Sequence, residues 1–213
     1  MKTAALSLVS MFTALLTATS LVVAQPTAGT YGNCSPGGEF GGVSLKTVNP
    51  DTLVVATVLP DPGWFNGVNP ESVQDGFEYC LAAEIAHRAG LTKLRLLNLA
   101  WDQYISGTAR GWDIGMAATT ITEPRREVFD FSRAYFSSNL GVAVRTGADV
   151  SAKNIRDKRI GVLQGNMGAD WVVGTLRPSQ QPSLYQSQPD MVTALIAGQV
   201  DAIISDTTLV LSA

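Results

Sequence analysis

The residue types best placed to do chemistry lie in residues 113–132, which read Asp113-Ile-Gly-Met-Ala-Ala-Thr-Thr-Ile-Thr-Glu-Pro-Arg-Arg-Glu-Val-Phe-Asp-Phe-Ser132. Arg125 carries a planar guanidinium fork that can hold both oxygens of one carboxylate. The hydroxyls of Thr119, Thr120 and Thr122 precede it, and small residues before them let a ligand approach the backbone. Thr122 is suited to cap a short helix whose first turn holds Glu123 and Pro124, because Pro is tolerated where its missing N–H would be unpaired anyway. The free N–H groups of a helix start favour an anion. A strand end, exposed hydroxyls, helix N–H groups and a guanidinium thus converge, and together they suit a small carboxylate. The ordinary alternative is a solvated surface arginine, since most Arg side chains are exposed.

Other candidates are weaker by themselves. In Gln164-Gly165-Asn166-Met167-Gly168, Gly165 would let backbone N–H groups face a carboxylate, but a lone Gly-x-x-Gly also describes any strand-to-helix turn. Asp206 is suited to cap a helix over residues 207–212. His87, the only histidine, falls in the last turn of a predicted helix, where it suits the helix dipole. No Ser/His/Asp constellation and no metal-spaced His/Cys cluster is found, so no metal or cofactor is expected.

The elements that must position these residues alternate. Residues 52–58 are β-branched and apolar between turn-forming Asn-Pro-Asp and Pro-Asp-Pro-Gly, which predicts a buried strand. Residues 76–90 predict a helix, with Phe77, Leu81, Ile85 and Ala89 on one face. Strand 93–97, helix 101–109 and strand 113–118 follow. The order strand, helix, strand, helix, strand indicates a parallel-rich α/β sheet. A second series comprises strand 160–163, strand 183–186, helix 189–198 and strand 200–204. Asp113 and Asp201 read as turn acids at strand starts.

Thr120-Ile121-Thr122-Glu123-Pro124-Arg125 and Val128-Phe129-Asp130-Phe131-Ser132 resemble the signature of the amino-acid-binding, solute-binding proteins of ABC importers. In that family, bacterial solute-binding protein family 3, small-x-Thr-Ile-Thr-x-x-Arg leads into hydrophobic-Asp-Phe-Ser. The usual Pro-Glu pair is inverted here. Gly76-Phe77-Glu78-Tyr79 is similar to the family's entry into its first helix, with Cys80 where an acid is usual. Residues 156–165 are similar to the opening of its second lobe, and residues 198–206 to its Gly-x-Val-Asp-Ala…Asp segment.

The resemblance implies an α/β, two-lobe, type II periplasmic-binding-protein-like fold with a cleft between the lobes. Lobe 1 would be residues 45–143 and lobe 2 residues 144–213, with the second lobe and the return crossover incomplete. It implies capture of a free amino acid outside the cytoplasm by a monomer, for delivery to an ABC permease. Arg125 would hold the ligand's carboxylate and Asp206 its ammonium. Ala118 would supply a carbonyl, Thr120 a hydroxyl, and Gly165 and Met167 backbone donors. Trp64, Phe65 or Trp101 would wall the pocket, with simple core packing as the alternative for each. On the same expectation the chain is a fragment or truncated product, and Leu209, Val210 and Leu211 would pack on later elements. Two other readings remain open. One is a same-fold enzyme of the cyclohexadienyl dehydratase type, which needs a general acid at the cleft floor that no residue obviously supplies. The other is the ligand-sensing domain of a membrane receptor.

Composition is compatible with either. The 213 residues are 46% hydrophobic and 15% charged with net charge −3, enough for one domain or two small lobes. No basic block is present, which excludes nucleic acid as a partner. Residues 1–24 read as a cleaved export signal, with Lys2, an uncharged apolar stretch and Val22-Val23-Ala24 before the cut; a retained anchor is the competing reading. Residues 25–44, rich in Pro, Gly, Ser and Thr, read as a flexible leader. Export to the periplasm or beyond would permit a disulfide between Cys34 and Cys80, while lipid attachment at Cys34 is the alternative.

Overall fold

The computed structural model describes residues 29–212, so the expected export signal lies outside the described residues. Strand β1 (Thr52–Thr57) lies at the centre of the first sheet, between β2 (Lys93–Asn98) and β3 (Ile114–Gly115), and all three run parallel. Leu53, Val54, Val55 and Ala56 are fully buried. A continuous apolar run is what a parallel strand covered on both faces requires.

Helix α1 (Phe77–Arg88) packs on this sheet with the expected Leu81, Ile85 and Ala89 partly buried against the core, but its deepest contacts come from other residues. Its buried residues are Glu78, Tyr79, Ala82, Ala83 and Ala86, while Phe77 is exposed. Three alanines let the helix lie close to β1, which pushes the larger Leu81 and Ile85 to the flank. Helix α2 (Trp101–Ile105) is shorter than residues 101–109, because Gly107 turns the chain at φ 65°. Strand β3 is also shorter than residues 113–118. The Met116 N–H still reaches β1 at the Ala56 carbonyl, but Ala118 turns away at φ 47°. Helix α3 is the short turn Glu123–Arg126.

An irregular segment leads from Phe129 to β4 (Leu140–Val144), the edge of a second sheet of order β4-β7-β5-β6. A short 3-10 turn (Ile155–Asp157) precedes β5 (Ile160–Leu163). Helix α4 (Met167–Trp171) widens into a π-helical turn over Val172–Leu176, and β6 (Ser183–Tyr185), α5 (Gln188–Ile196), β7 (Ala202–Asp206) and α6 (Thr207–Leu211) complete the order. β5 runs parallel to β6 and β7, and β4 runs antiparallel to β7. β4 therefore belongs to the second sheet, although the sequence reading places residues up to 143 with the first; backbone pairing alone decides that. The two turn acids act alike. Asp113 accepts the Val48 and Val54 N–H groups at 2.6 and 2.7 Å, and Asp201 accepts the Arg159 N–H at 2.9 Å.

Residues 29–44 have no regular structure, yet they are not the flexible leader expected. Tyr31 is buried in the first-lobe core and its hydroxyl donates to the Leu91 carbonyl. The Gly41 and Val43 N–H groups donate to the His87 and Arg88 carbonyls at the end of α1. Cys34 is bonded to Cys80 of α1, with Cα atoms 5.3 Å apart, which leaves Cys34 no thiol for a lipid. A buried aromatic and a covalent bond outweigh the chain entropy that Gly and Pro composition suggests. Thiol labelling of the denatured, unreduced protein is expected to find no free cysteine. Replacing both cysteines by serine should lower stability in urea unfolding by about 4 kcal/mol, the loop entropy of a closure of this length. Two labelled cysteines, or unchanged stability, would contradict the bond's role.

Candidate functional site

The Thr122 hydroxyl caps α3 by accepting the Arg125 N–H at 3.3 Å, and this fixes where the Arg125 side chain starts. The guanidinium lies over the Trp101 ring, 5.5 Å from its centre. One Nη donates to the Thr120 carbonyl at 2.9 Å, and the other crosses to the second lobe and donates to the Gly165 carbonyl at 3.1 Å. Burial lowers the Arg125 pKa, while Asp170, Asp206 and Tyr104 pull it back up. The fork expected to hold a carboxylate is thus engaged by two backbone carbonyls, one from each lobe.

Gly165 adopts φ 71° and presents its carbonyl, rather than an N–H, to Arg125. A Cβ there would come within 3.4 Å of the Trp101 Nε1, so the loop and the indole are close neighbours. That Nε1 is buried and has no hydrogen-bond partner. Asn166 caps α4 by accepting the Gly168 N–H at 2.6 Å, and its amide donates to Asp206 at 3.2 Å. Asp206 stands at the start of α6 without making a side-chain cap bond. Met167, partly buried, opens α4.

A cavity of about 750 Å³ runs beside these groups, between the loop after β3 and the segment after α3. Trp64, Tyr104, Ala118, Thr120, Tyr135 and Asp206 are among its walls. Phe65, Trp101, Arg125, Gly165 and Met167 do not line it. Phe65 is fully buried in the first-lobe core. Trp64 is nearly buried too, and meets Phe77 and Phe136 edge-on at 5.4 and 4.8 Å.

Two acids escaped the sequence reading. Glu78, on the first turn of α1, is fully buried. It accepts the Ala118 N–H at 3.0 and 3.2 Å on its two oxygens and also the Tyr135 hydroxyl. Asp61, in the Pro-Asp-Pro turn after β1, is 6% exposed, and its Oδ1 has no partner. Burial pushes Asp61 up to about 8, and the charges of Glu78 and Asp206 add to this. Burial pushes Glu78 up to about 7 against the pull of its two hydrogen bonds. Composition marks Asp61 as a turn residue and Glu78 as a helix-start acid. The only hint was an acid beside an aromatic at the head of a helix that has to pack on a sheet.

Residues 55–187 match the family model of the bacterial extracellular solute-binding proteins, family 3. The chain belongs to this family. It is 26% identical to a probable histidine-binding protein of Neisseria gonorrhoeae, over 82% of this chain and 66% of that one. It is 27% identical to the octopine-binding periplasmic protein of Rhizobium meliloti, over 76% and 63%. The chain thus spans less than two thirds of the length of each relative. Its fold matches a solved arginine transport system periplasmic binding protein of Legionella pneumophila with TM-score 0.67 and 26% identity, over 75% of this chain and 70% of that one. The α/β, two-lobe periplasmic-binding-protein architecture is therefore that of this family 3 chain.

The buried acids give the family 3 chain a testable pH response. In the folded protein Asp61 and Glu78 keep their protons up to about 8 and about 7, whereas unfolded carboxyls lose them near 4. The folded state binds more protons across that interval, so stability falls as pH rises through it and levels off above. Calorimetry should show a lower unfolding temperature at pH about 8 than at about 5.5, and an Asp61→Asn/Glu78→Gln variant should lose most of the difference. An unchanged pH slope in the variant would show that these acids are not its source.

Proposed function

We propose that this chain captures a free α-amino acid outside the cytoplasm, as the exported binding component of an ABC importer. The observation that carries the reading is the Arg125 guanidinium, which bridges the lobes over an indole in the field of Asp206 and Asp170. A zwitterion is complementary to that arrangement. Its carboxylate would replace the Gly165 carbonyl on Arg125, since a charged acceptor makes the stronger bond. Its ammonium would go to Asp206, which Asn166 orients. Thr120 and the Ala118 carbonyl would complete the shell from the first lobe, and the Gly165 and Met167 N–H groups from the second. Trp101 and Trp64 would form the walls. Closure of the lobes would exclude water and strengthen every one of these contacts.

Relatives named for binding histidine, octopine and arginine support an amino-acid ligand. Asp170 and Asp206, both within the field of Arg125, leave the site with an excess of negative charge, which disfavours an acidic side chain. A dehydratase on this scaffold would need an acid free to reach its substrate. Glu78 is fully buried and engaged by two donors, and Asp61 is buried away from the cavity walls, so binding is the better reading. Export with cleavage of residues 1–24 and action as a monomer belong to the same proposal.

Calorimetric titration with a panel of amino acids tests it. Arginine or histidine should bind more tightly than glutamate. Arg125→Ala and Asp206→Ala should each weaken the best ligand by ~2–5 kcal/mol, because each leaves a buried ligand charge unpaired. Near-unchanged affinity in either variant would remove that residue from the site.

A further inference from the structure

We infer that Glu78 is a positioning residue for ligand binding, whose carboxyl group holds the Ala118 turn and the Tyr135 segment in one arrangement. The inference rests on the proposed role of the loop after β3 as a ligand contact. Three stretches distant in sequence meet at this one side chain: the start of α1, the loop at Ala118 and the segment between α3 and β4. Ala118 sits at φ 47°, a left-handed conformation that a residue with a Cβ rarely adopts and that persists only where the surroundings enforce it. The enforcing contact is the Ala118 N–H, which donates to both Glu78 oxygens. This bond ends β3 after Gly115 and turns the following residues, Thr119 and Thr120, towards the cavity. A second bond, between the Thr119 and Tyr104 hydroxyls at 2.9 Å, holds the far side of the turn.

The contact with Tyr135 extends the effect. Tyr135 and its neighbour Phe136 belong to the segment that joins the lobes, and both line the cavity. An ionised carboxylate is an acceptor only, so it satisfies the Ala118 N–H and the Tyr135 O–H together. Once protonated it becomes a donor itself and competes with the Tyr135 hydroxyl. The arrangement seen is therefore the one the ionised group supports best. The titratable groups facing Glu78 are Asp61 from the turn after β1, Tyr104 from α2 and Tyr135 from the joining segment, with Asp206 in turn facing Asp61. No ion pair to Glu78 is found among the described residues.

The test compares the chain with Glu78→Gln, Glu78→Ala and, as a control, Asp61→Asn. Two readouts are followed from pH about 5.5 to about 7.5, the range in which a carboxyl near 7 changes charge. The first, without ligand, is the NMR shift of the Ala118 amide. The second is the affinity for L-arginine by calorimetry. In the parent chain the Ala118 amide should titrate, and L-arginine should bind several-fold more tightly as Glu78 ionises. Glu78→Gln keeps the shape and an acceptor but not the charge, so it should flatten both profiles, whereas Asp61→Asn should leave the Ala118 titration in place. Glu78→Ala should lose about 10-fold or more in affinity, the cost of one charge-assisted hydrogen bond. A parent-like Ala118 titration in Glu78→Gln would overturn the inference, as would a parent-like L-arginine pH profile in that variant. If the parent chain binds no amino acid, the proposed function fails, and the Ala118 amide alone still decides whether Glu78 holds the turn.

Discussion

The guanidinium of Arg125 is shared between two lobes. It donates to Thr120 in one and to Gly165 in the other, and much of the surrounding local structure serves to place it. The Thr122 cap sets the root of the side chain, the Trp101 ring supports its plane, and Gly165 adopts the left-handed φ that turns its carbonyl to the guanidinium. A cation held by neutral carbonyls is satisfied, but not as strongly as by a carboxylate. The contact is therefore a link between the lobes made by a cation with neutral partners.

Among the described residues, the first lobe also buries acids that no cation neutralises. Asp61 and Glu78 are buried on the first lobe, and the charge of Asp206 reaches Asp61 from the second. Burying carboxyl groups without cationic partners costs stability, and the groups respond by holding their protons. Hydrogen bonds limit the cost at Glu78, whereas Asp61 Oδ1 has no partner. The two acids are thus unequal: the Glu78 carboxyl is bonded to the backbone at Ala118, while the buried Asp61 keeps one oxygen without a partner.

Helix α1 connects this chemistry to the N-terminal segment. Cys80 lies two residues after Glu78 and is bonded to Cys34, while Tyr31 fills the core beside it. The irregular residues 29–44 therefore clamp the helix that carries the buried acid. The clamp is covalent at one point and hydrogen-bonded at the His87 and Arg88 carbonyls. Rigidity at the start of α1 carries over to the Ala118 turn, because Glu78 has little freedom to move away from it.

Local chemistry alone determined much of this protein. The β-branched run of β1, the Thr122 cap of α3, the Gln164-Gly165 turn before α4 and the acids Asp113 and Asp201 were readable, because each depends on neighbours a few residues away. The ordered Thr-x-Thr-x-x-Arg and Asp-Phe-Ser motifs pointed to the family for the same reason. Tertiary structure decided the rest. The deepest face of α1 is set by three alanines with Glu78 and Tyr79, while Leu81 and Ile85 are only partly buried beside it. The Ala118 turn after β3 is bonded to Glu78, forty positions away in the chain. The pairing of Cys34 with Cys80, the burial of Phe65 and the isolation of Asp61 likewise depend on which segments meet in space. Spacing along the chain carries no record of such meetings, since burial and partners are properties of the assembled surfaces.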